Sequence, residues 1–148
     1  MRPPRWIIYL WTAPTTLVGL VAVALTLLSG GRARLHSGVI EAHGGFARFF
    51  LRRLTLLKGG ASAMTLGHVV IGRDAQSLER TRDHERVHVR QCERWGPAFL
   101  PAYLLCSAWM FLTRQDPYRD NPFEKEAFAR ANGTSADRRE PSPTPASL

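Results

Sequence analysis

Asp83-His84-Glu85-Arg86-Val87-His88 is the stretch that organises the reading of this chain. It lies inside Ser77 to Trp95, which reads as a helix, with Gly96-Pro97 as a sharp stop. Residues four apart on a helix share a face one turn apart, so His84 and His88 can both offer an imidazole nitrogen to one metal ion. Glu85 is rotated about 100° from His84. From there its carboxylate can reach a metal-held water without ligating the metal. Two neutral imidazoles holding zinc, beside a carboxylate that takes a proton from the water, is the arrangement that hydrolysis requires. A chance H-E-x-x-H in a chain of this length is on the order of one in a few hundred. Context decides, and here the motif sits in a helix, follows a strand and precedes a suitable carboxylate.

A hydrolytic zinc needs a third protein ligand and one open position. Asn121-Pro122-Phe123-Glu124-Lys125-Glu126-Ala127 offers two carboxylates. Asn can cap a helix there, and Pro suits the first helical position. Glu124 and Glu126 lie two residues apart, about 200° around a helix, so only one can face the metal. These residues resemble the gluzincin branch of zinc peptidases, in which H-E-x-x-H is followed by a helix of pattern E-x-x-A. Glu124 fits that pattern with Ala127. Glu126 fits it with Ala129, but less well with the Asn-Pro opening.

The resemblance covers roughly Met64 to Ala131. It implies an α+β fold: a minimal zincin-like domain of short strands, a motif helix and a glutamate helix. It implies Zn²⁺ as cofactor, His84, His88 and Glu124 as its ligands, and Glu85 as the catalytic base of a peptidase acting on peptide or protein substrates. It also implies a strand beside the motif helix that can pair with an extended peptide, a role Met64 to Gly72 fits. The chain departs from the pattern in two places. Many gluzincins carry an Asp four residues after the ligand Glu to orient a ligand His; here that residue is Phe128. Many use a His or Tyr after the glutamate helix to stabilise the tetrahedral intermediate. Nothing after Glu124 supplies one, which leaves Tyr103, Tyr118 and His68 as substitutes. A zinc-stabilised but non-catalytic membrane or scaffold protein is the alternative reading.

Outward from the motif, Trp6 to Leu28 carries no charged residue. As a helix it would reach about 34 Å, enough to span a hydrocarbon core with some tilt. Trp6, Tyr9 and Trp11 gather at one end, as in an interfacial aromatic belt. The run is longer than the apolar part of a signal peptide, and Leu28-Ser29-Gly30 lacks an A-x-A-like cleavage site. Residues 1–31 therefore read as an uncleaved transmembrane anchor, with Pro14 as a point of bending or restart. Arg32, Arg34, Arg48, Arg52 and Arg53 outnumber Arg2 and Arg5, which favours a cytoplasmic C-terminal domain.

Between anchor and motif, Arg34 to His43 reads as two short strands around a Ser37-Gly38 turn. Phe46 to Leu57 has apolar residues at helical spacing with arginines between them. Trp95 to Thr113 is a second uncharged run, whose regular part from Pro101 to Leu112 is too short to span a bilayer. A single crossing there would also carry the two ligand helices to opposite sides, so the segment should be core or lie in the interface. From residue 132 the composition turns to Ser, Pro, Thr and charge, and the tail to 148 reads as disordered.

The 148 residues hold 20 Lys+Arg against 12 Asp+Glu, a formal charge of +8. The arginines are scattered and no nucleic-acid module accompanies them, so an anionic membrane surface is the better partner. Cys92 and Cys106 form no C-x-x-C pair and read as buried, inert thiols. His36 and His43 read as ordinary strand residues. Arg80, Arg82, Arg86, Arg90 and Arg94 read as a solvated or lipid-facing helix face.

Overall fold

With no charge to interrupt it, the first segment forms one helix, α1, over Arg5–Leu28, and Pro14 sits inside it without ending it. The computed structural model describes residues 4–55 and 59–137. Arg32–His36 (β1) and Val39–His43 (β2) pair antiparallel around Ser37 and Gly38. Both turn residues have positive φ, 48° and 77°, the twist-matched geometry of a two-residue hairpin. Gly45–Arg53 (α2) follows. It stops short of the expected end at Leu57, which lies outside the described residues along with Leu56 and Lys58.

The expected single strand from Met64 to Gly72 is two strands, Ala63–Leu66 (β3) and Val69–Gly72 (β4). Gly67, at φ +66°, reverses the chain between them, and its bare Cα lets Thr16 of α1 approach. The sheet order is β1-β2-β4-β3, with β2 and β4 parallel and the other pairs antiparallel. β3 is therefore an edge strand, and β4 is buried throughout.

Ala75–Trp95 forms α3, capped by the Asp74 carboxylate, which accepts from Ser77 N at 2.7 Å. Gly96 at φ +56° ends it, and one 3₁₀ turn, Gly96–Ala98, leads into α4, Phe99–Leu112. Pro122–Asp137 forms α5, whose first turn is capped by Asn121 Oδ1 accepting from Phe123 N at 3.0 Å. The helix runs through Asn132-Gly133, so the part of the expected tail up to Asp137 is helical. Residues 138–148 lie outside the described residues.

Alternation along the strands sorts the core into two sides. Ala42, Val69 and Ile71 face α1 and α2, where they meet Ala22, Val23, Ala47 and Leu51. Val39 and Val70 face α3, where they meet Leu78 and Val89. The outcome is an α+β sandwich, with a four-stranded mixed sheet between α1/α2 and α3. Glu41 on the α3 side joins Arg34 of β1 and Arg82 of α3, each at 3.0 Å. Arg86 donates to the carbonyls of His36 and Ser37. Two of the five arginines expected to be solvated or lipid-facing therefore fasten α3 to the sheet.

α1 is long and apolar enough to cross a membrane, with a mean hydropathy of 1.8. It is also one wall of the sandwich. Thr12, Thr15, Gly19, Ala22 and Thr26 form its buried stripe. Thr12 Oγ1 meets His68 Nδ1 at 3.1 Å, and the Tyr9 ring stands edge-on to His68 at 4.8 Å. Ser29 Oγ accepts from Phe46 N at 2.5 Å.

Candidate metal centre

The motif helix α3 packs between the sheet and α5, and that placement builds the site. His84 and His88 come from one face of α3, and Glu124 from the first turn of α5. Glu124 Oε2 lies 3.0 Å from His84 Nε2, and Oε1 lies 3.3 Å from His88 Nε2. The two Nε2 atoms are 3.1 Å apart. Ligand atoms from all three residues fall within 4.8 Å of one another. Donors about 2 Å from a tetrahedral zinc sit roughly 3.3 Å apart, which matches these separations.

Of the two carboxylates left open by the sequence, Glu124 joins the cluster. Glu126 turns away to accept from Gln91 and Arg94, both at 2.8 Å, and to pair with Arg130. Asn121 sets this phase. Its Nδ2 donates to Tyr103 O at 3.1 Å and Ser107 Oγ at 2.8 Å, which ties the start of α5 to α4.

Gln91, 1% exposed, fixes the state of His88. Its Nε2 donates to Phe123 O at 3.0 Å and to Glu126 Oε2 at 2.8 Å, two groups that only accept. The amide oxygen must then be the atom 2.8 Å from His88 Nδ1. So Nδ1 carries a proton, and Nε2 points into the cluster as the nitrogen placed to bind a metal. This is the outer partner that metal-ligating histidines need. The sequence reading missed it, although a polar residue one turn beyond His88 on a buried face was the available signal.

His84 has no equivalent. Its Nδ1 is buried without a hydrogen-bond partner among the described residues. Phe128, at the position where many gluzincins carry Asp, packs its ring against that of His84 at 4.5 Å, tilted by 53°, instead. That ring is oriented by packing.

Electrostatics favours a cation at this point. Burial raises the Glu124 carboxyl, but hydrogen bonds from His84 and His88 outweigh it and hold the group well below its ordinary value. Burial alone would lower the His88 imidazole, yet Glu124 and Glu85 hold it up at about 9. Without metal the cluster thus keeps one ionised carboxylate beside a protonated His88 imidazole, whose Nε2 proton a metal ion would displace. Two imidazole nitrogens, one carboxylate and a fixed tautomer are a donor set that fits zinc.

Glu85 is 6% exposed and lines the same cavity as the ligands. Thr65 on β3 donates to Glu85 Oε2 at 2.7 Å and so anchors the carboxylate toward the strand. Thr65 was not singled out by the sequence, though it occupies a β3 position facing α3. The cavity, about 300 Å³, runs between Ser62–Thr65, the motif residues and the start of α4. Apart from Glu85, Glu124, His84 and His88, its walls carry no formally charged side chain; Ala63, Met64, Phe99, Leu100 and Leu104 are among them.

Among the three candidates for an added hydrogen-bond donor, Tyr103 and Tyr118 line this cavity and His68 does not. Tyr103 Oη donates to Glu124 Oε1 at 2.6 Å. Burial, and then the Glu124 carboxylate, push its phenol above the usual value and keep it a donor. His68 sits in the β3–β4 turn, between Thr12 of α1 and Glu93 of α3. His36 and His43 also lie outside the cluster. Cys92 is buried and its thiol is pushed up to about 12 by burial, as an inert thiol should be; Cys106 is half-buried. Comparison of the chain with protein-family models, with curated proteins and with solved structures finds no match in any of the three.

Proposed function

We propose that the chain is a zinc-dependent peptidase, membrane-attached through its apolar N-terminal helix, that hydrolyses peptide bonds. One observation carries the reading: His84, His88 and Glu124 converge within 4.8 Å in a cavity that also holds Glu85 and runs along the edge strand β3. Bound there by His84, His88 and Glu124, zinc supplies a Lewis acid that polarises a carbonyl and lowers the pKa of water.

The rest of the chemistry belongs to the chain. The outer edge of β3 offers backbone groups to an extended peptide, which lays its scissile bond across the cavity. Glu85, held by Thr65, takes the proton from the attacking water and hands it to the departing amine. Tyr103 spends its one proton on Glu124 and holds that carboxylate in place, while Tyr118 puts a second hydroxyl on the cavity wall, where charge develops on the former carbonyl oxygen. Gln91 keeps His88 in its metal-binding tautomer. The apolar walls take neutral side chains on either side of the cut.

The test is Glu85→Gln beside wild type, with zinc measured on both. Retained zinc at about one per chain, with peptide hydrolysis reduced on the order of 10²–10⁴-fold, is the expected result. Wild type that holds zinc yet cleaves nothing in a broad peptide library overturns the proposal. It would favour a zinc-stabilised scaffold, a second reading supported by the missing orienting partner on His84 Nδ1. In that case Glu85→Gln would change nothing, and His84→Ala would unfold the domain.

A further inference from the structure

α1 is built inside out. Its buried stripe is small or hydroxylated apart from Val23, whereas its largest apolar residues point away from the protein. Trp6 is 66% exposed, Leu10 69%, Leu17 60% and Val21 61%. A helix in an aqueous protein core shows the reverse pattern; small residues toward protein and large ones outward is the pattern of a helix in lipid.

The same packing sets how that lipid contact can be made. The Trp11 side chain lies against Gly96 at the end of α3. At the other end, His43 lies against Gly31, just past α1, and pairs with Gly72, three residues before α3 begins. α3 therefore runs back along the whole docked length of α1, on the opposite face of the sheet. Both helices cover a comparable distance, about 26 Å for Trp11 to Leu28 and about 31 Å for α3. α3 carries Arg80, Arg82, Arg86, Arg90 and Arg94 from its first turns to its last. If α1 crossed a bilayer, the five arginines and the Glu41 ion pairs would be drawn into hydrocarbon with it, where ionised groups are strongly disfavoured.

We infer that α1 does not cross the membrane but lies in its interface, with the outer face in the acyl layer and both ends on one side. The partner is an anionic lipid bilayer. α2, packed beside α1, exposes Arg48, Arg52 and Arg53 together with Phe49 and Leu54, the mixture an interfacial helix presents to headgroups. α4 follows the 3₁₀ turn that begins at Gly96, beside Trp11, and adds a second apolar stripe of Pro101, Leu104, Leu105, Ala108, Trp109 and Leu112, all exposed. At 14 residues, about 21 Å, it is too short to span. Asn121, bonded to Tyr103 and Ser107, brings the chain back to the level of its middle. α4 also walls the cavity through Leu100 and Leu104, so the cavity is placed at the membrane surface. The inference rests on the packing of α1 and is independent of the metal reading.

Two measurements on the full chain test it. The first is labelling of Arg5→Cys and Arg32→Cys with a membrane-impermeant maleimide, in intact cells and after lysis, against the parent chain. Both positions flank α1 and are exposed. The expected result is that they behave alike, both labelled before lysis or both only after it. Labelling of one before lysis and the other only after it overturns the inference. The second is tryptophan fluorescence on vesicles of phosphatidylcholine and phosphatidylglycerol with brominated acyl chains. Trp6, Trp11, Trp95 and Trp109 are all exposed, so bromine should quench most of the emission and aqueous acrylamide little of it. Emission unaffected by bromine would mean that a protein, not lipid, covers the outer face of α1, and would overturn it equally.

Discussion

Replacing Gln91 by Leu removes an amide that holds three partners at once: His88 Nδ1 at 2.8 Å, Phe123 O at 3.0 Å and Glu126 at 2.8 Å. Two consequences separate cleanly. Without the acceptor on Nδ1, the neutral His88 is free to place its proton on Nε2, the nitrogen that must be bare to bind zinc. Loss of such an outer partner costs about 10- to 100-fold in metal affinity, or roughly 1.4–2.7 kcal/mol. Independently, Phe123 O and His88 Nδ1 become buried and unpaired, at about 1–3 kcal/mol each, which loosens α5 from α3. Gln91→Glu distinguishes the two effects. Its carboxylate still accepts from Nδ1, but it cannot donate to Phe123 O and it repels Glu126. Zinc affinity by chelator competition, with thermal unfolding of the zinc-free protein, reads both. The expected order of affinity is wild type, then Glu, then Leu, with both variants less stable. If Gln91→Leu binds zinc as tightly as wild type while its Tm falls, the amide is only a packing tie and the tautomer argument fails.

Other consequences follow from particular contacts. Chelating the zinc-loaded protein should lower its Tm. At free zinc 100-fold above Kd the stabilisation is about 2.7 kcal/mol, or on the order of 5–12 °C for a domain of this size; an unchanged melting curve would mean that no metal is held. Burial pushes the Glu41 carboxyl up, but Arg82 and Arg34 hold it below its ordinary value of 4.5. Its stabilisation is therefore complete above 4.5 and is lost as pH falls through the depressed value; stability measured down that range should drop less steeply in Glu41→Gln. Thr65→Val should leave zinc binding intact and reduce turnover roughly tenfold or more by freeing Glu85, so a variant with normal kcat would remove Thr65 from the mechanism. A methyl at Gly19 would sit 2.6 Å from Val69 Cβ and 2.8 Å from Leu66 O. Gly19→Ala should then cost about 1–3 kcal/mol, and an unshifted unfolding curve would show that α1 does not dock there.

What the sequence revealed was whatever local spacing encodes. His84, Glu85 and His88 sit on one helix, and the resemblance to the E-x-x-A pattern with the Asn121-Pro122 opening favoured Glu124 over Glu126, so the cluster that converges here was legible without any tertiary knowledge. The β3–β4 hairpin was not. Met64 to Gly72 is apolar on both sides because β4 is buried on both faces, and such a run lacks the alternation that would mark two strands. Gly67 was the sole signal of a reversal. Gln91 was only half legible for another reason: its spacing from His88 is local, but its meaning lies in Phe123 and Glu126, 32 and 35 residues away. Asn132-Gly133 looked like a helix end, but Gly133 meets nothing that would enforce one, and α5 continues. The docking of α1 escaped because Thr12, Thr15, Gly19 and Thr26 are nearly neutral in a hydropathy average, while in space they form the face that fits the sheet.

That face also bears on how the protein is made. Thr12 and His68 are 56 residues apart, and the partners of Thr16 and Gly19 lie in the Leu66–Val69 turn. α1 leaves the ribosome well before any surface exists for it to rest on. Until β3 and β4 have been synthesised, its hydroxyl stripe is unmatched, and only its apolar side has a favourable environment, the bilayer. On the interfacial placement proposed above, delivery to the membrane would precede folding, and the sheet would assemble on a helix already held at the lipid surface. A chain whose first helix is withheld from lipid would expose that apolar side in water throughout synthesis, so aggregation during translation, rather than loss of the finished fold, is the failure this architecture invites.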